Sequence, residues 1–399
     1  MHMFTAVVKP THICNLACDY CFNDDVRKPV MDPATLERVV QQTFEYTRQT
    51  GKDQAHFIWH GGEPTVVGLD FYRNAVALQE KYADGCKYSN AFQTNGVLVN
   101  KEWARFFKSH DFSVSVSLDG KQLHNDKYRV DFAGKGSYHK VERAMNILKD
   151  EGIQFGVCLT MHKGNVEDAA DIYRFFAEQK QAFHIVPLMK SGGARDGYED
   201  FGLTENEYAD AWLAMYDLWF DAAPDYVYVS DFVDRTEAVL RGLPGSCWTA
   251  SHCCDTNVTV DPEGDVYSCA SVSATPIALY GNVNEKSFKE VFASRNALYW
   301  RTRQHSDQCT SCKWFHVCHG GCMSRSYKFF GDIDAPDYYC DSLYRIYEHI
   351  EKRLRGMDLA PALPHENHMR SQLPADTRSK LDMTGLKSRI SSIPVKVVQ

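Results

Sequence analysis

Three cysteines stand close together near the start of the chain, Cys14, Cys18 and Cys21, in the spacing CxxxCxxC. Thiolates are soft ligands that suit iron–sulfur clusters and zinc. Three of them on one loop can hold three irons of a four-iron cluster and leave the fourth iron without a protein ligand. A cluster with a full set of protein ligands can only pass electrons. One with an open iron can also bind a small molecule and direct an electron into it. The same three thiols would also suit a zinc site lacking its fourth ligand.

A second, denser constellation lies toward the carboxyl end. Cys309-x2-Cys312-x5-Cys318-x3-Cys322 is followed by Cys340 and preceded by Cys247 and by Cys254-x9-Gly264-x4-Cys269. Nine of the 14 cysteines fall between Cys247 and Cys340, a concentration that points to metal, with structural zinc as the alternative to iron–sulfur clusters. The rest of the chain agrees with a metal role. No run approaches the roughly 18 apolar residues of a membrane span, and Met1 to Pro10 lacks the basic start and apolar stretch of a secretory signal. The expected compartment is therefore the cytoplasm, where reduced thiols are the rule and structural disulfides rare. A net charge of −8 argues against a nucleic-acid partner, which asks for a cationic surface.

The elements that must position the first cysteines read as an α/β repeat. Short strand-like runs end in polar loops: Ala55 to Trp59 in His60-Gly61-Gly62-Glu63, Asn90 to Gln93 in Thr94-Asn95-Gly96, Phe112 to Leu118 in Asp119-Gly120, and then Phe155 to Thr160. Helical patterns at Pro33 to Gln49 and His139 to Glu151 are interleaved with them. A parallel sheet wrapped by helices gathers its functional loops at the carboxyl ends of its strands. Lys190 to Gly202, with four glycines, reads as a mobile loop, either a lid or plain surface, before a helix over Glu205 to Asp221. At 399 residues the chain is long for one core, at about 100–200 residues per domain. The expected units are 1–235, a cysteine-rich 236–350 and a polar tail 351–399.

The loop Cys14-Asn-Leu-Ala-Cys18-Asp-Tyr20-Cys21 resembles the signature of the radical S-adenosylmethionine (SAM) superfamily, whose fold is a partial (β/α)6 barrel. Gly61-Gly62-Glu63-Pro64 resembles that family's GGEP segment. Gln93 to Gly96, Ser117 to Gly120, His124 and Arg129 resemble its later strand ends. The resemblance implies that the backbone of Gly61 to Pro64 and the Glu63 carboxylate receive the SAM amino group. It implies further that Ser117 and Arg129 hold the ribose or carboxylate, and that Tyr20 meets the adenine through its backbone. The carboxyl-terminal cysteines resemble the SPASM domain, which carries two auxiliary clusters. By that likeness Cys247, Cys254, Cys269 and Cys322 hold the nearer cluster and Cys309, Cys312, Cys318 and Cys340 the outer one, so that the whole chain carries three [4Fe-4S] clusters. Cys253 stands next to Cys254, and spacing to Gly264 favours Cys254. The remaining Cys86 and Cys158 read as buried small apolar residues.

The implied chemistry is reductive cleavage of SAM to a 5′-deoxyadenosyl radical that abstracts hydrogen from a precursor peptide or protein. An external flavodoxin- or ferredoxin-like donor supplies electrons, and the auxiliary clusters accept an electron from the product. By motif, the branch is that of peptide maturases and anaerobic sulfatase-maturating enzymes. In the sulfatase-maturating pattern the cysteine corresponding to Cys269 is followed by an aspartate that serves as the base. Here Ala270, Ser271 and Val272 follow, and Asp255 and Asp265 are the neighbouring carboxylates in sequence. Oxidative crosslinking within a ribosomally made peptide is therefore the first expectation, formylglycine formation the second, and an electron-transfer or zinc-stabilised scaffold protein the reading from another class.

Overall fold

The computed structural model describes residues 3–23, 29–223, 225–244, 246–250 and 253–357. Six parallel strands form its centre: β1 (Met3–Val8), β2 (Gln54–Trp59), β3 (Lys87–Thr94), β4 (Phe112–Ser117), β5 (Phe155–Met161) and β6 (Phe183–Pro187). Each pairs with the next in chain order, the arrangement that successive right-handed βα units produce. Side chains alternate strictly along β1, with Phe4, Ala6 and Val8 fully buried toward the helices and Thr5 and Val7 partly exposed on the other face. The same alternation in β6 buries Phe183, Ile185 and Pro187 and leaves His184 and Val186 partly exposed on the inner wall. Period two thus divides these two strands between a dry outer layer and a lumen.

The covering helices are α1 (Pro33–Gln49), α2 (Leu69–Ala83), α3 (Lys101–Ser109), α4 (Tyr138–Asp150) and α5 (Ala169–Glu178). Helix α1 shows why they form where they do. Asp32 caps it by accepting from the Ala34 and Thr35 amides, and Pro33 opens its first turn, the position where proline's missing N–H costs nothing. Leu36, Val39, Val40 and Phe44 then recur at helical spacing and are fully buried.

The cysteine-rich half does not start a new sheet. Strand β7 (Asn257–Val260) pairs parallel with β1, and β8 (Asp265–Tyr267) and β9 (Leu279–Asn282) continue antiparallel, giving one nine-stranded sheet in the order β6-β5-β4-β3-β2-β1-β7-β8-β9. Aromatic packing crosses the junction, with Tyr46 of α1 stacked on Phe292 at 4.7 Å and Phe4 of β1 5.9 Å from Phe288. The Gln42 side chain, buried on α1, donates to Val283 O at 3.2 Å and accepts from the Phe288 amide at 2.6 Å. Helices α6 (Glu205–Asp221), α7 (Ser230–Arg241), α8 (Met323–Phe330) and α9 (Cys340–Arg355) complete the fold. Helix α9 lies along α6, held by Arg345 on Asp210, Arg353 on Asp217 and Asp221, and His349 on Asp217.

The expected 235/236 division falls within α7, and one cluster of buried apolar residues reaches from β1 to α9. The segment Lys190 to Gly202 is a docked element, with Ser191 Oγ donating to Phe22 O at 3.0 Å and the Gly193 amide to Cys21 O at 2.8 Å. Its glycines serve close approach: a Cβ on Gly192 would stand 2.0 Å from Cys21 O, and one on Gly193 2.2 Å from Asp19 O. Of the expected tail, 351–357 finish and leave α9, and 358–399 lie outside the described residues. Among the described residues no helix is long and apolar enough to cross a membrane.

Candidate functional site

Cys14, Cys18 and Cys21 occupy the loop that leaves the carboxyl end of β1, and three segments pin that loop. On one side the Gly62 amide donates to Thr11 O (2.9 Å) and the Glu63 amide to Ile13 O (2.8 Å). On another the Ala17 and Asp19 amides donate to Val130 O and Tyr128 O. The Ser191–Gly193 segment closes the third. The double glycine is forced by this packing: a Cβ on Gly62 would lie 2.4 Å from Ile13 O and 2.5 Å from His12 O, and Gly61 has φ +136°, a conformation that side chains rarely tolerate.

The three thiols lie near one another, and the surroundings of Cys14 and Cys18 hold their protons. Burial pushes Cys14 up to about 11, with Glu63 and Cys21 adding to it against the Leu16 amide and Asn95. Burial pushes Cys18 up to about 12, with Arg129 opposing and Cys21 and Cys14 adding. Cys14 Sγ accepts from the Leu16 amide at 3.4 Å and from Asn95 Nδ2 at 3.7 Å. Such crowded thiols give up protons to a cation placed among them, and donors aimed at sulfur are what a cluster's thiolates use. The donor set fits a cluster held by three cysteines.

Behind the loop, Glu63 is fully buried. Its Oε1 accepts from the Thr65 amide (3.0 Å), Thr65 Oγ1 (2.5 Å) and Thr94 Oγ1 (2.7 Å), and its Oε2 from the Asn95 amide (2.7 Å). Four donors fill a carboxylate's usual capacity, so Glu63 fastens the β2 and β3 ends together. At the β4 and β5 ends a buried network centres on Asp119. It accepts from the Tyr20 hydroxyl, from Arg129 Nε at 2.9 Å and from the Thr160 amide at 3.1 Å, with His162 Nε2 at 3.4 Å. Burial would raise this carboxyl, but Arg129 and His162 overcome it and hold it below the usual range. The Arg129 guanidinium lies 5.4 Å from the Tyr20 ring centre and donates from Nη2 to Thr160 Oγ1 at 3.3 Å. Ser117 Oγ accepts from Gln93 Nε2 at 3.0 Å. Tyr20, Glu63, Ser117 and Arg129 thus converge around the cysteine loop. His124 turns away to pair with Asp168 at 3.1 Å.

The carboxyl-terminal cysteines gather into two sets. Cys253, Cys322 and Cys269 surround the Cys247 thiol, in that order of influence. Cys254, the neighbour that spacing favours, is buried, and Tyr280 stands beside it. The second set is Cys309, Cys312, Cys318 and Cys340: burial pushes Cys318 up to about 12, and Asp337 and the other three cysteines add to it. Between the sets lies a buried bidentate pair, Arg325 Nε to Asp337 Oδ1 at 2.7 Å and Nη2 to Oδ2 at 2.6 Å, and Asp337 also accepts from the Cys322 amide at 2.7 Å. Among the described residues no three His, Cys, Asp or Glu groups close on a single ion, whereas a four-iron cluster takes thiolates spread around a larger body.

Four residues to which sequence reasoning gave no role at the site face the same lumen. Lys9, fully buried just past β1, donates to Ser273 Oγ at 2.5 Å and to Ala270 O at 3.4 Å. His60 accepts from the Gly61 amide at 2.7 Å, and burial followed by Lys9 pushes it down to about 4. Cys158 and His184 are register partners on β5 and β6. Period two alone would have put Cys158 on the inner face with Thr160, against its reading as a buried apolar residue.

Comparison with known proteins gives a consistent likeness. Residues 8–176 match the radical SAM superfamily and residues 252–313 an iron–sulfur cluster-binding domain, SPASM. The chain is 30% identical to a serine-type anaerobic sulfatase-maturating enzyme of Klebsiella aerogenes, over 84% of this chain and 86% of that one. It is 29% identical to the serine-type enzyme of Bacteroides thetaiotaomicron, over 96% of each. It superimposes on anSMEcpe, solved with bound AdoMet and a Cp18Cys peptide, with a TM-score of 0.78 at 26% identity, covering 88% of this chain and 98% of that one.

Proposed function

The chain belongs to the radical SAM superfamily and carries its SPASM iron–sulfur domain, and on that premise we propose that it is a maturase of the sulfatase-activating kind. It oxidises a serine or cysteine side chain of a protein or peptide to formylglycine. The observation that carries this reading is the extent of the likeness: sulfatase-maturating relatives match through the barrel and the SPASM region together, over 84% and 96% of this chain. That support puts the sulfatase-type reaction ahead of the peptide crosslinking expected from sequence. Crosslinking is kept as a second reading because of Ala270, where the sulfatase-maturating pattern expects a carboxylate.

In this reading Cys14, Cys18 and Cys21 hold the SAM-binding cluster. Cys247, Cys269 and Cys322 hold the nearer auxiliary cluster, with Cys253 in place of Cys254 because Cys253 is the one that faces Cys247. Cys309, Cys312, Cys318 and Cys340 hold the outer one. When bound, the first cluster and SAM supply a radical able to take a hydrogen atom from an unactivated carbon. The protein's part is positioning. With the Glu63 carboxylate saturated, the SAM amino group falls to the backbone of Gly61 to Pro64. The Asp119 network fixes Arg129 and Tyr20, and Ser117 offers its hydroxyl at the end of β4. Electrons enter from a flavodoxin- or ferredoxin-like donor.

The test is anaerobic reconstitution, iron counting and incubation with SAM, a reductant and a peptide carrying a sulfatase-type cysteine or serine. About twelve irons, 5′-deoxyadenosine release and a hydrazide-reactive aldehyde in the peptide are expected. Deoxyadenosine without aldehyde, together with a crosslink in a candidate precursor peptide, would turn the assignment to the second reading.

A further inference from the structure

Oxidising a carbon that bears a hydroxyl or thiol removes one hydrogen atom, one electron and one proton. The atom goes to the radical chemistry of the bound SAM and the electron to an iron–sulfur acceptor. The proton needs a base in the lumen, and position 270, where the relatives' pattern would supply a carboxylate, is alanine. Lys9, His60 and His56 on the inner wall each hold a hydrogen bond of their own. Lys9 donates to Ser273 and Ala270. His60 uses Nδ1 to accept from the Gly61 amide, and His56 Nδ1 is engaged with Ser89 Oγ at 2.8 Å.

We propose that Cys158 and His184, side by side on β5 and β6 with Asp231 behind them, are the proton-accepting site for substrate oxidation. The proposal rests on the maturase reading above. Cys158 pairs in register with Ser117 on one side and His184 on the other. This places the thiol in the same row as Ser117, whose Oγ accepts from Gln93 Nε2, and two residues along β5 from Thr160, which touches Arg129. Both side chains are partly exposed, while the neighbours on the opposite face, Val157, Leu159, Phe183 and Ile185, are buried, so the pair looks into the lumen. Two ionisable groups bear on His184. Cys158 comes from β5, and Asp231 comes from the first turn of α7, where its Oδ2 is oriented by the Ile185 amide at 2.7 Å. Burial draws the imidazole down, but Cys158, hydrogen-bonded to it, and Asp231 prevail and push it up to about 9. An imidazolium beside a thiol favours the thiolate. The S–H bond forms at Cys158 as the substrate's O–H or S–H bond breaks, and His184 keeps its own proton throughout.

Two measurements test this. In the reconstituted full-length protein, iodoacetamide labelling followed by peptide mapping should alkylate Cys158 at about pH 6 at least ~10-fold faster than Cys86 in the same chain. His184→Gln should abolish that advantage while leaving the iron content at the wild-type value. Equal rates for Cys158 and Cys86, or indifference to His184→Gln, overturns the proposal. With the sulfatase-type cysteine peptide, His184→Gln should lower kcat with KM little changed, and Cys158→Ala and Cys158→Ser should both lower kcat at least ~100-fold. Wild-type rates in those variants sink the proposal and leave the maturase reading intact. A reactive Cys158 in a wild-type protein that makes no formylglycine sinks the sulfatase reading and leaves the proton site standing.

Discussion

At Gly62 the absence of a single carbon decides whether the cysteine loop can close. The Cβ of an alanine there would sit 2.4 Å from Ile13 O, a distance that only movement of the loop can relieve. Gly62→Ala should therefore lower the iron count by about one four-iron cluster and abolish deoxyadenosine formation, while the auxiliary clusters keep their absorbance. Asp119 belongs to the same scale. Removing its charge leaves Arg129 buried without a counter-ion, a loss of about 3–5 kcal/mol, so Asp119→Asn should lower the denaturation midpoint measured at neutral pH. The carboxyl is held below its ordinary value, so its contribution is present above an unfolded pKa of about 4 and is lost as pH falls below that. The gap between wild type and variant should accordingly shrink in that acid window. The motif residues were legible because glycine and carboxylate chemistry is local. The saturation of Glu63 was not, because two of its four donors come from Thr94 and Asn95, which the fold brings to it.

An element can separate residues that the sequence cannot. Cys253 and Cys254 begin the single helical turn Cys253–Thr256, and neighbours on a helix point about 100° apart. Their thiols stay 3.7 Å apart, yet Cys253 is the one of the pair that bears on Cys247, while Cys254 is buried beside Tyr280. Cys253→Ser should lower the iron count by about four and erase one cluster's electron paramagnetic resonance signal, whereas Cys254→Ser keeps both. The reverse result would restore the assignment that spacing favours. The same scale explains the segment from Lys190 to Gly202. Glycines signal freedom in a sequence, yet here they mark the places where one backbone must lie directly on another.

Across the whole molecule, the sheet and the core join the two cysteine regions. Cys340, a member of the outer set, opens α9, which packs along α6 of the barrel side, and β7 is hydrogen-bonded to β1. Cys312→Ala, which disturbs the outer set, should therefore lower the melting temperature of the entire chain in one calorimetric transition; two separated transitions would show that the halves fold independently. Arg325→Ala should cost about 3–5 kcal/mol by leaving Asp337 buried and unpaired between the two sets, read as a lower denaturation midpoint together with disturbed spectra of both auxiliary clusters.

The sequence by itself determined the α/β barrel, the cysteine loop after its first strand and the cysteine sets of the carboxyl-terminal half. These follow from hydrophobic periodicity, glycine geometry and ligand spacing, all properties of short stretches of chain. Only the tertiary structure decided that the two halves share a sheet, that Cys253 rather than Cys254 bears on Cys247, and that Cys158 meets His184 on the lumen wall. Those facts depend on strand order, register and helical phase, which are settled only when separate segments bury their apolar faces against one another.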